Sequence, residues 1–342
     1  MHILYLPLEF ESWFSAKKLA YPVGVGMTEG FSNNNIQHLT IPMLYNTDIW
    51  LSHIKAIVGD RKFDQVWLEV VHSIIPEAIL EWITTLAPIR VGFIVESLTI
   101  APEEFKDNLV GTQRRVINLN SKLPYLTHAV VCDERDLNKL NIPTMLYSTS
   151  IPERLIKPPN STSDKPIFYG TPYGNRVDWL TALGNRVNIN PPSEEDRGTL
   201  PSLFESLFLE RYIPSDYPTF FKRWYFIRKE LYSIWINHLH KLNSCALINL
   251  PHRTDVASGR IIENMASGKP VVSPELNNNL SSSFENGKDI LYYKDIKGLI
   301  ESIDCLQKDS ELRFSIAEAA RLKLLENYTT EGQIKRIMEF TK

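Results

Sequence analysis

Residues 244–275, SCALINLPHRTDVASGRIIENMASGKPVVSPE, decide how this chain folds. SCALINL reads as a buried strand and PHRTDVASG as the loop that leaves it. A short helix opens near Ser258-Gly259 and carries Arg260 and Glu263 in its first turns. It ends on Ser267-Gly268-Lys269-Pro270, a small-residue turn in which glycine is a routine helix cap, and KPVVSPE (269–275) is the next strand. Strand, helix and strand in this order make a βα repeat wound around a parallel sheet.

The same alternation runs outward in both directions. Upstream, HILYLPL (2–8), HLTIPML (38–44), FDQVWLEVV (63–71), IRVGFIVE (89–96), HAVVCDE (128–134) and TMLYSTS (144–150) predict a first sheet. IPEAILEWITTLA (75–87) and DERDLNKLN (133–141) are read as helices between them, the latter with an acidic first turn. Residues 151–166, IPERLIKPPNSTSDKP, hold four prolines and a polar run, and are read as a linker. The alternation then restarts with PIFYG (166–170), VNIN (187–190), SCALINL, KPVVSPE and DILYY (289–293), a second sheet in tandem. Residues 310–340 are helical by periodicity but break at Asn327–Thr330, which gives two helices, the second with Thr330 as N-cap. The aromatic segment 201–243 reads as core helices with Trp224, Tyr232 and Trp235 turned inward, in preference to a docking surface.

Composition excludes several classes. A net charge of -3 shows no overall nucleic-acid footprint. Three separated cysteines, Cys132, Cys245 and Cys305, fit neither a disulfide framework nor paired zinc ligands. The N-terminus lacks a basic signal-peptide region, and no uncharged run has the length of a membrane span, so a cytoplasmic protein is expected.

In parallel sheets, ligands bind at the carboxyl ends of the strands, where helix N-termini also point. The loop before Gly259 lets backbone approach an anion, and Arg253 or Arg260 adds a charge-assisted bond to a phosphate. A carboxylate beyond the phosphates, Glu263, suits the two hydroxyls of a ribose. The bland readings are a surface first-turn acid for Glu263 and a plain helix cap for Gly268; the joint spacing with Asp255, Gly259, Arg260 and Gly287 favours a donor site.

Asp255 and Glu263, eight positions apart, followed by Ala266-Ser-Gly-Lys-Pro-Val-Val272 and Glu285-Asn-Gly-Lys-Asp289, resemble the donor region of nucleotide-sugar glycosyltransferases of the GT-B fold, in their group-one and spore-maturation (CgeB-like) branch. The resemblance implies an α/β protein of two Rossmann-like domains facing a cleft: residues 1–158 for the acceptor, 159–326 for the donor, and a terminal helix, 327–342, crossing back to the first domain. It implies Asp255 near the sugar, and Gly170, Thr171 and Arg176 in the glycine loop at the diphosphate, with Ser258 and Gly259 opening the helix. Asp255 stands where the family usually has the longer glutamate. No Asp-x-Asp occurs, so a metal-independent reaction is expected, with UDP- or GDP-sugar as donor substrate and no separate cofactor.

An inverting transfer needs a base from the first domain. Glu29 in the glycine loop 22–31, Glu69 and His72 at the third strand, and Glu96 at the fourth are the candidates; if configuration is retained, His72 would instead support the sugar hydroxyls. The acceptor, whether glycan, protein or small molecule, and the oligomeric state, homodimer included, are left open. A nucleotide-sugar 2-epimerase on the same scaffold and a non-catalytic nucleotide-sugar-binding partner subunit remain alternatives.

Overall fold

The computed structural model describes residues 1–9, 25–41, 43–44, 54–71, 75–98, 102–170, 172, 174–189, 229, 232–251, 259–275 and 283–342. The chain divides into two compact units, one built on Met1–Tyr147 with Ile334–Lys342, the other on residues from 148 to 189 with Ile234–Gln333.

The strands of the first unit are β1 (His2–Leu6), β2 (Leu8–Glu9), β3 (Gln37–Thr40), β4 (Met43–Leu44), β5 (Gln65–Glu69), β6 (Ile89–Ile94), β7 (His128–Val131) and β8 (Thr144–Leu146). Six form one parallel sheet in the order β3-β1-β5-β6-β7-β8, and β2 pairs with β4 apart from it. Every residue of β5 is buried, as expected of a central parallel strand covered on both faces. One face is aromatic: Phe31 meets Trp67 with ring centres 5.1 Å apart and Tyr5 at 5.6 Å, edge-on. Each such pair contributes about 0.5–1.5 kcal/mol beyond its buried area. The Glu77–Leu86 helix buries Ile79, Leu80, Ile83 and Leu86, the amphipathic spacing read from the sequence.

The terminal Thr330–Phe340 helix contributes Ile334 and Ile337 to the aromatic face of this unit. The buried Gln65 amide also donates to the Thr341 hydroxyl at 2.8 Å. The expectation of a last helix laid on the first domain is met by these contacts.

The stretch 22–31 is expected as a glycine loop, but Val25–Asn33 is a helix, so Glu29 lies buried on a helix. Residues 133–141 give only a three-residue 3-10 turn, Glu134–Asp136. Here the acids serve loops: Asp133 accepts from the Arg135 N–H, and Asp136 accepts from the Leu98 N–H at 2.7 Å and pairs with Lys139. Side chains of this type compete with a helix when such partners are near.

The second unit carries β9 (Ile167–Phe168), β10 (Asn188–Ile189), β11 (Leu247–Ile248), β12 (Val271–Pro274) and β13 (Leu291–Tyr293). All pairings are parallel, in the order β10-β9-β11-β12-β13. The proline-rich segment 151–166 is fastened to this unit along its length. Lys157 donates its N–H to the Ala266 carbonyl, Asn160 to Gly268 and Thr162 to Ser244. The buried Lys269 ammonium also binds the Asn160 carbonyl. Proline and polar content predict a linker here; the bonds that fasten it come from backbone of remote segments, which composition does not encode.

Gly268 has a φ of 79°, and a Cβ there would strike the Pro158 carbonyl. Gly268→Ala is therefore expected to destabilise the chain by about 1 kcal/mol from conformation alone, and by more from the clash. A urea-unfolding midpoint equal to wild type would contradict this. The break before the last helix is capped by Thr329, whose hydroxyl accepts from the Gly332 N–H at 3.2 Å, one residue earlier than expected. No described helix is long and apolar enough to cross a membrane.

Candidate functional site

In the second sheet the chain runs from β9 to β10 on one side and returns to β11 on the other, so the order reverses between β9 and β11. Such a switch point opens a crevice at the carboxyl ends of the two strands, the usual ligand position in doubly wound sheets. Gly170 follows β9 there and Asn249 follows β11. Asn249 is fixed by its side chain on the Ser273 hydroxyl and by its carbonyl, which accepts from the Tyr293 phenol at 2.7 Å.

Arg176, expected at a diphosphate, is buried at the first turn of the Arg176–Leu183 helix. Its Nε donates to the Pro251 carbonyl at 2.9 Å, its Nη2 reaches the Leu250 carbonyl, and its guanidinium lies over the Phe168 ring. It ties the β9 exit to the β11 exit and keeps its charge inside the crevice wall, because guanidinium does not deprotonate in proteins.

The quoted helix spans Arg260–Ala266 with Gly259 at its N-cap, and Glu263 is 5% exposed. Burial pushes its carboxyl up to about 7, against the opposing pull of Arg260 and of Trp235 as a hydrogen-bond donor. Desolvation outweighs both favourable neighbours. The half-buried Arg260 sends Nη1 to the Tyr169 carbonyl at 3.1 Å and lies so close over Gly170 that any side chain there would meet the guanidinium. Gly170, Gly259, Arg260 and Glu263 are thus brought to one place, while Thr171, Arg253, Asp255 and Ser258 lie outside the described residues.

In the first unit the switch point falls between β1 and β5. Glu69 ends β5, buried, with Oε1 accepting from the Val71 N–H at 2.7 Å. Lys122 and Asn118, from the Pro102–Lys122 helix, grip the same exit: Lys122 donates to the Val70 carbonyl at 3.0 Å and Asn118 to the Val71 carbonyl at 3.1 Å. Desolvation lowers the Lys122 ammonium to about 8, with Glu69 working the other way. Glu69 is therefore engaged in holding the strand exit. Glu96 pairs with the buried Arg115, and His72 lies outside the described residues.

Lys122, Asn118 and Trp235 were not singled out as site residues by the sequence. Lys122 and Asn118 sit on a helix at polar positions that look like a solvated face, and Trp235 is distant in sequence from Glu263.

Residues 215–339 match a family model described as glycosyl transferase-like. An α-glucosyltransferase bound to UDP and a 13-mer DNA superposes with a TM-score of 0.61 at 12% identity, covering 100% of this chain and 99% of that one. Anabaena HepE in complex with UDP-glucose gives 0.56 at 11%, covering 99% and 98%. The fold is that of GT-B glycosyltransferases. A Listeria monocytogenes protein assigned as a UDP-N-acetylglucosamine 2-epimerase shares it, with a TM-score of 0.52 at 10% identity over 98% of this chain and 94% of that one. A search of curated proteins finds no match. The family model together with the transferase neighbours supports an enzyme that transfers glycosyl groups.

Proposed function

We propose that the chain transfers a sugar from a nucleotide diphosphate donor to an acceptor hydroxyl, without a metal ion. The observation that carries this is the buried Glu263 carboxylate beside Arg260, whose guanidinium covers Gly170 at the β9 exit of the β9/β11 switch point. A carboxylate kept out of water at an energetic cost suits a ligand that brings its own hydrogen-bond donors, as the two hydroxyls of a ribose do. One of the five N–H donors of Arg260 goes to Tyr169, and its charge suits a diphosphate leaving group. UDP in two neighbours favours a uridine donor over GDP. The spacing of Asp255 and Glu263 favours the group-one and spore-maturation-like branch.

Transfer passes through an oxocarbenium-like state, in which the leaving diphosphate must be stabilised and, for inversion, the acceptor hydroxyl deprotonated. Arg260, with Arg253 from the preceding loop, would serve the diphosphate, and Asp255 would stand near the sugar. For the base, the engagement of Glu69 with the Val71 N–H shifts the assignment toward His72.

The shared fold makes the epimerase the second reading. Incubation with UDP-glucose, UDP-galactose and UDP-N-acetylglucosamine in EDTA separates the two. A transferase is expected to release UDP with unaltered sugar, slowly onto water and faster onto an acceptor. An epimerised sugar would replace this reading by the alternative, and binding without turnover would favour the non-catalytic one.

A further inference from the structure

The aromatic segment that precedes β11 places one residue, Trp235, among the neighbours of the Glu263 carboxyl. Trp235 lies in the helical residues 232–241 and is 8% exposed. Its ring stands edge-on to Tyr169 with centres 4.2 Å apart, and His238 stacks on it at 6.4 Å. The Tyr169 carbonyl takes the Arg260 guanidinium. Tyr169 is thus a shared brace: its ring meets Trp235 and its backbone carbonyl takes Arg260, which lies one helical turn before Glu263.

We propose that Trp235 is a positioning residue of the donor site, its indole N–H orienting the Glu263 carboxylate toward the nucleotide ribose while Tyr169 holds Trp235 and Arg260 in register. This rests on the donor-site reading of Glu263. A tryptophan needed only to fill space would be replaced by phenylalanine with little effect on binding. An indole needed for its N–H would not.

The carboxyl near 7 gives this a signature that packing alone lacks. The N–H favours the ionised form, so its removal raises the pH at which Glu263 ionises. The charged or titratable neighbours are Arg260 on the same helix, with Tyr169 and His238 around Trp235.

The test is UDP binding by calorimetry across pH 5.5–9 for wild type, Trp235→Phe, Glu263→Ala and the double variant. Trp235→Phe is expected to weaken UDP about tenfold, the worth of one hydrogen bond to a charged group, and to move the pH midpoint upward. In the Glu263→Ala background the same change is expected to add nothing further, since the two act as one unit. Equal affinity and an unmoved midpoint in Trp235→Phe, with Glu263→Ala weakened, would overturn the positioning role alone. Glu263→Ala binding like wild type would overturn the donor reading and the inference with it. Should Trp235→Phe not fold, the Trp235 indole ¹⁵N–¹H resonance serves: it should shift with pH in wild type and stop shifting in Glu263→Gln, and a pH-independent wild-type resonance overturns the proposal.

Discussion

Glu263→Ala is expected to weaken UDP binding by the worth of one or two charged hydrogen bonds, about 2–4 kcal/mol or 30- to 700-fold. The effect should be large because the site excludes water: Glu263 is 5% exposed and faces Trp235 and Arg260. Removing the carboxylate leaves ribose hydroxyls without an acceptor in a place water reaches poorly. Titration calorimetry at pH 8, where the carboxyl is ionised, measures this. Affinity within a factor of two of wild type would mean that the ribose lies elsewhere. Glu263→Gln should fall between, since an amide keeps one acceptor oxygen and loses the charge.

The second large effect is on stability, and its sign is opposite. The carboxyl titrates near 7 when folded, against 4.5 for the free group. Below the lower value both states are protonated, and the group has no effect on folding. As pH rises through that window the unfolded chain releases the proton first, so stability falls; above the folded value the loss is complete. At 1.4 kcal/mol per unit it amounts to about 3 kcal/mol. Glutamine cannot ionise, so Glu263→Gln without nucleotide is expected to be more stable than wild type at pH 8 by up to about 3 kcal/mol, and equal to it near pH 4. Urea unfolding at the two pH values reads this directly. A variant less stable than wild type at pH 8 would show that the carboxylate is well solvated or paired in the folded chain. Loss of binding together with a gain of stability is the mark of a group kept for its ligand.

Much of this fold is legible in the sequence because buried parallel strands are near-continuous apolar runs. QVWLE, HAVV and the run ending in Leu247–Ile248 announce themselves in that way. The helix around Glu263 is equally legible, bounded by Gly259 and Gly268. What sequence conceals is where charged groups find partners. Lys122, Lys269 and Arg176 are buried on backbone carbonyls supplied by remote segments, and a lysine or arginine in a sequence reads as solvated by default. The acids 133 and 136 misled for the same reason. They look like a helix start, but their acceptors are used by Leu98, Arg135 and Lys139. For Glu263 the place on a short helix is readable from the sequence; its burial, and Trp235 as its neighbour, required the fold.

The central claim is that a nucleotide diphosphate binds at the β9/β11 exits with Glu263 on its ribose and without a metal. The most direct measurement is calorimetric titration of the wild-type chain with UDP in EDTA at pH 8, with Glu263→Ala alongside. The account predicts saturable binding at one site per chain, undiminished by EDTA and weakened at least about thirtyfold in the variant, the low end of the range for one or two charged hydrogen bonds. Absence of binding, or binding abolished by EDTA or unaffected by the variant, would contradict it.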